Sequence, residues 1–252
     1  MRRGAILTGA GLALLAAACG SSGGGSSATT AAGPSPPPWE MHGAYAPKVD
    51  PANFVATIDN RYFPLIPGTT FHYVGVKDGA RQNDDMAVTH QTRQIAGITA
   101  TVVRDTVSQG GKAIERTYDW YAQDRQGNVW YLGEDSLERH NGRLVRASDS
   151  WETGVNGAKP GIIVSGHPRP GDVYRQEYYP PGEALDQAHV LGLDAHQRVP
   201  AGSYRHLLTT EEWSPFEPQM EQKFYAAGLG EVKEQVVEGG HEEFALVGVT
   251  HG

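Results

Sequence analysis

The sequence predicts an all-β protein, an antiparallel meander forming a curved sheet or half-barrel with one or two short helices. Three observations predict it. Apolar and polar residues alternate in short runs rich in Val, Thr, Tyr and Trp, the period-two signature of strands buried on one face. Glycine-bearing pairs such as Asp78-Gly79, Gln126-Gly127, Asn141-Gly142 and Gly239-Gly240 separate the runs and fit tight hairpin turns. No stretch carries a long helical period.

Taken in order, the first expected strands are Thr70–Lys77, Met86–Ile95, Thr99–Ser108, Ala113–Asp124, Val129–Leu132 and Arg143–Ser148. Then come Val173–Tyr179, His189–Val199, Tyr204–Trp213, Gln219–Ala226, Gly230–Glu238 and Glu242–Thr250. Short helices are expected at Asp50–Val55 and Pro181–Gln187. Trp151 to Asp172, with its glycines and prolines, reads as a long irregular loop, a kind of segment that is often functional or mobile.

The N-terminus reads as an export and anchoring device. Met1-Arg2-Arg3 supplies a positive start, and Gly4–Ala18 carries no charge and is too short to span a bilayer as a helix. Leu15-Ala16-Ala17-Ala18-Cys19 matches the lipobox of bacterial lipoproteins, in which the cysteine thiol takes a diacylglycerol and the freed amine can be acylated. Cys19 is the single cysteine of the 252 residues, so lipidation also removes a free thiol that an oxidising compartment would threaten. Residues 1–18 are thus expected to be a signal peptide, 19–50 a lipid-anchored Gly/Ser/Pro-rich tether, and 51–252 a single β-rich domain. The tether composition offers too few apolar residues to offset its ordering entropy.

Charge narrows the partners. The formal net charge is −8, and losing residues 1–18 removes Arg2 and Arg3 and no acid. An acidic chain lacks the basic face that nucleic acid requires, and it is not drawn to anionic headgroups.

Specific runs resemble a known group. Tyr62-Phe63-Pro64-Leu65-Ile66-Pro67-Gly68-Thr69-Thr70-Phe71, Asp119-Trp120-Tyr121-Ala122-Gln123-Asp124, Gly127-Asn128-Val129-Trp130-Tyr131, Tyr174-Arg175-Gln176-Glu177-Tyr178 and Gly182-Glu183-Ala184 resemble secreted bacterial lipoproteins of unestablished function. That resemblance implies a fold and a compartment. More distantly, Val199-Pro200-Ala201-Gly202-Ser203-Tyr204 and Phe224–Val232 are similar to the half-barrel lipoprotein carriers of the LolA/LolB type. Those carriers imply a curved sheet with a lid helix holding acyl chains.

Three constellations are candidates for chemistry. Tyr118, Trp120 and Ala122 point one way on their strand, with Trp130 across the Gln126-Gly127 turn, and these rings suit either cross-strand packing or the lining of a ligand groove. Arg175, Glu177, Glu211 and Trp213 form a polar set in which Arg175 and Glu177 alternate onto one face of a strand with Tyr179; they can either grip a carboxylate or amine ligand or sit solvated on an exposed face. Glu183, Asp186 and His189 share a face only if that segment is helical, where they could hold a divalent metal. No G-x-S-x-G run, H-x-x-x-H pair or phosphate loop is present, and no cofactor is implied.

The expected function is that of a non-enzymatic, extracytoplasmic lipoprotein held to the membrane through Cys19. It would bind a small or amphipathic ligand on a concave sheet face lined by Trp120, Trp130, Arg175, Glu177 and Tyr178. The alternatives are a structural or protein-interaction module of the cell envelope and a metal-dependent hydrolase.

Overall fold

The computed structural model describes residues 35–217 and 219–252, so the expected signal segment, Cys19 and residues 20–34 lie outside the described residues. The first strands are β1 (Phe54–Val55), β2 (Thr69–Lys77), β3 (Ala80–Ile95), β4 (Ile98–Gln109), β5 (Lys112–Asp124), β6 (Val129–His140), β7 (Arg143–Arg146) and β8 (Trp151–Glu152). They are followed by β9 (Lys159–Val164), β10 (Val173–Arg175), β11 (Glu177–Tyr178), β12 (Gln187–Val199), β13 (Gly202–Trp213), β14 (Met220–Ala226), β15 (Gly230–Glu238) and β16 (Glu242–His251).

The strands form an all-antiparallel meander, as the alternation predicts. The main order is β10-β12-β13-β14-β15-β16-β2-β3-β4-β5-β6-β9-β11. Its two ends, β10 and β11, are neighbours in the chain, separated only by Gln176. The sheet therefore curls further than a half-barrel, into a nearly closed barrel with one seam. Such closure removes most of the unpaired edge that an open sheet leaves exposed.

The seam depends on two local features. The backbone N–H groups of Gln176 and Glu177 both donate to the Asp186 carbonyl, at 2.7 and 3.3 Å, so one extra residue is absorbed where the chain crosses between the two edges. On the facing strand, a Cβ at Gly161 would lie 2.2 Å from the Gln176 carbonyl oxygen, so only glycine permits the approach.

Three expectations are corrected. The 151–172 segment is not a continuous irregular loop: it carries β8 and β9, and β9 pairs with both β6 and β11. The single strand expected over Val173–Tyr179 is split by the break at Gln176. The short helices shrink to three-residue 3-10 turns at Pro51–Asn53 and Pro180–Gly182, the first capped by the Asp50 side chain accepting from the Ala52 N–H at 3.0 Å.

The barrel interior has two unlike halves. One is a filled apolar core. The segment between β1 and β2 enters it, burying Ile58, Tyr62, Phe63 and Leu65. Phe63 sets its edge against Tyr121 and Tyr225, with centroids 5.6 and 6.4 Å apart. Asn60 holds this plug in place, accepting from the Tyr62 N–H and donating to the Gly127 carbonyl at 2.7 Å. The other half is polar, and it is reached along the same strands.

A second, smaller core lies on the convex face. Ile95, Ile98, Val102, Trp120 and Leu132 pack there under Val49 and Phe54, with Trp130 partly buried against them.

Candidate functional site

The strand pattern explains how the interior changes character. On β5 the inward positions run Tyr121, Asp119, Thr117, Glu115, and all four are buried. On β6, Gly133 adopts φ 135 and adds a residue to the ladder opposite Trp120, so Tyr131 and Glu134, three apart, both face inward. A Cβ at Gly133 would also meet the Trp151 carbonyl oxygen at 2.3 Å. Thr210 and Glu212 on β13, Lys223 on β14, Glu234 on β15 and Glu242 on β16 continue the polar ring.

These groups share one interior. Lys77 on β2 feels the charges of Glu242, Glu221 and Glu115, which stand on β16, β14 and β5. Glu242 is its direct partner at 2.8 Å. Lys223 is held by Glu212 at 2.9 Å and Glu234 at 3.5 Å, with Glu221 at 3.9 Å. Lys77 and Lys223 are the buried lysines among the described residues, and the carboxyl groups around them are in excess.

Electrostatics follow from that excess. Burial, with the neighbouring charge of Asp105, pushes Glu115 up to about 8. Burial and Asp105 likewise push Asp119 up to about 7. Burial and the charges of Glu177 and Asp149 drive Glu134 well above the ordinary carboxyl range. Against burial, Lys223 holds Glu212 below its ordinary value.

A cavity of about 520 Å³ opens on this polar end. Glu115, Glu134 and Ser136 lie at its depth; Glu138, Arg146, Asp149, Glu183, Phe216 and Glu217 are among its outer walls. Phe216, 43 % exposed, stands at the mouth. The apolar half of the interior is packed with the protein's own side chains, Phe63, Tyr121, Tyr131 and Tyr225 among them.

The residues singled out from sequence do not meet in one place. Trp120 is 3 % exposed in the convex cluster, with the Arg93 guanidinium 4.1 Å above its ring. Trp130 lies beside it, its indole N–H donating to Asp124 at 2.8 Å and its ring meeting the edge of Phe54. Arg175 and Tyr178 are together on the outside of the seam. Glu177 points inward, near enough to Tyr121, Tyr131 and Glu134 to act on their ionisation. The break at Gln176 is the reason: it places residues three apart, not two apart, on one face. Glu183, Asp186 and His189 are also dispersed, because the helix that would align them does not form. Among the described residues no group of three or more His, Cys, Asp or Glu side chains is arranged to hold a metal.

The outer seam is covered by residues 37–49, which sequence composition assigns to the tether. Trp39 donates to Glu211 at 3.0 Å and packs its ring, tilted, against His189 with centroids 5.4 Å apart. Arg175 donates to the Met41 carbonyl at 2.5 Å, and the Met41 N–H donates to Gln187. Tyr45 donates to the Pro160 carbonyl at 2.9 Å and packs on Tyr178, while its own carbonyl accepts from Lys159. One strap therefore touches β10, β12 and β13 on one side of the seam and β9 and β11 on the other.

The acidic ring was missed in sequence because its members read as solvated positions between aromatic ones. The available signal was that Glu115, Thr117 and Asp119 share a parity with Tyr121, as Lys223 does with Tyr225.

No family model matches the chain, and no curated protein matches it. Among solved structures, it is similar to a Bacteroides fragilis protein described as exported and as having a YmcC-like fold, with a TM-score of 0.45 and 14 % identity over 76 % of this chain and 99 % of that one. It is also similar to a Parabacteroides distasonis protein described as a lipoprotein, with a TM-score of 0.43 and 10 % identity over 76 % of this chain and 100 % of that one. Likenesses this weak carry no function to the present chain.

Proposed function

We propose that this chain is an extracytoplasmic lipoprotein, anchored through Cys19 and not an enzyme, that binds a small polar ligand in the open end of its barrel. The observation that carries this reading is the cavity of about 520 Å³ at the polar end of an interior whose other half is packed with apolar side chains. That volume lies within the roughly 300–1,000 Å³ of typical small-molecule sites. Its polar walls favour a small hydrophilic ligand over an amphipathic one. The anchoring half of the reading rests on the lipobox sequence around Cys19.

Native mass spectrometry of the full-length protein, extracted from its own membranes in mild detergent, tests both halves. The reading expects a lipid mass on the N-terminal peptide, absent from Cys19→Ala, and a bound small molecule that a cavity-filling Ala147→Trp variant loses. An unlipidated protein that carries no ligand, and whose behaviour Ala147→Trp leaves unchanged, would contradict it.

A further inference from the structure

We propose that the ligand of this cavity is an organic cation, an aliphatic amine carrying two or more ammonium groups. The inference rests on the binding reading above and names the class of its ligand.

The first support is the sign and placement of the walls. Glu115 and Glu134 lie deep, Glu138, Glu183 and Glu217 lie further out, and Arg146 is the one Lys or Arg side chain on the lining. Its side chain is 62 % exposed and already bonded to Asp135 at 2.6 Å. Acids spread from depth to mouth suit positive charges separated along a chain better than one compact ion. They are not gathered in a metal-binding cluster. Pro181, Ala147 and Phe216 supply apolar surface for the methylenes between the charges.

The second support is Asp105, which adds its charge behind that lining without itself lining the cavity. It stands opposite Thr117 on the inward face of β4, is 6 % exposed, and neither carboxylate oxygen has a hydrogen-bond partner. A buried carboxylate left without a donor adds negative field to the neighbouring cavity, and a cation held there is favoured by it. Thr117, its ladder partner on β5, donates to the lining residue Glu115 at 3.4 Å, and the charge of Asp105 acts on that same Glu115.

Binding must then displace protons. Glu115 faces Lys77 from β2, Asp105 from β4, Glu138 from β6 and Asp149 from the segment after β7, and it is raised to about 8. Asp119 faces Asp105 and Tyr131 and is raised to about 7. Terminal primary ammonium groups, like that of lysine at about 10.4, stay charged across this window, so a polyamine keeps at least two charges. Affinity should therefore rise with pH across this window as the acids ionise.

The test is isothermal titration of the full-length protein in detergent with spermidine. One-to-one binding is expected, at least tenfold tighter at pH 8.5 than at pH 6, and at least tenfold weaker in Glu115→Gln/Glu134→Gln. That variant removes buried charge repulsion, so a thermal melt confirms that it remains folded. Equal affinity in the variant would mean adsorption to the acidic exterior and would overturn the proposal. A neutral or anionic molecule displaced from the cavity would overturn the cation inference while leaving the binding reading intact. A protein that binds nothing, and is unaffected by Ala147→Trp, would end both.

Discussion

Tyr131 and Asp119 form a hydrogen bond of 2.6 Å at the boundary between the two halves of the barrel. The same Tyr131 oxygen lies 2.8 Å from Glu134. A phenol has one hydrogen to give, so the second contact requires a carboxyl that donates back. Burial raises both carboxyls, Asp119 to about 7 and Glu134 well above its ordinary range, so one of the pair carries this proton. The polar half of the barrel is thus built to hold protonated acids, or to exchange their protons for another cation.

Stability should therefore fall as pH rises between 5 and 9. Glu115 and Asp119 have raised values in the folded state, so their favourable contribution is complete below the ordinary carboxyl range. It is lost as pH rises through about 7 for Asp119 and about 8 for Glu115. Each group sets a slope of at most about 1.4 kcal/mol per pH unit. Glu212, shifted the other way, acts only at lower pH. Urea denaturation across this range checks the sign, and Glu115→Gln should flatten the curve.

Lys223 is the opposite case. It is 1 % exposed and balances Glu212 and Glu234. Lys223→Met strands those acids, and breaking a buried pair from one side costs about 3–5 kcal/mol. Denaturation at pH 7 should show that loss, reduced when the variant is examined at pH 5.

Trp120 should prove structural. Trp120→Ala empties the middle of the convex cluster and costs about 3–5 kcal/mol, as removal of a buried large aromatic does. Because the cavity lies on the other face of the sheet, amine affinity measured below the melting transition should change less than twofold.

The strap should guard the seam. Trp39→Ala removes the bond to Glu211 and the ring contact with His189, at a cost of about 1–3 kcal/mol. Hydrogen exchange should quicken first in β10 and β11, with β3 and β4 on the opposite wall unaffected.

Much of the fold was legible from period-two alternation and turn glycines. Gly230–Glu238 is a strand over that span, and Thr70–Lys77 differs from β2 by one residue. Two things were not legible. Lys159-Pro160-Gly161 reads as a breaker, yet β9 forms because Gly161 is needed where the two sheet edges approach. Closure itself turns on Gln176, whose single-residue break separates Arg175 from Glu177 and depends on a bond to Asp186 that no local pattern announces. The candidate site was hidden for a related reason. Alternation shows that Asp119 and Tyr121 share a face and Trp120 the other, but not which face is inside. Aromatic density pointed to the convex one.

The most direct test of the polar end as the ligand site is a carboxyl ¹³C NMR titration of the full-length protein with spermidine. Glu115 and Glu134 should shift together and saturate at one equivalent, with Asp85 and Asp194 on the exterior unmoved. Shifts confined to exterior carboxylates, with Glu115 and Glu134 unchanged, would contradict the account.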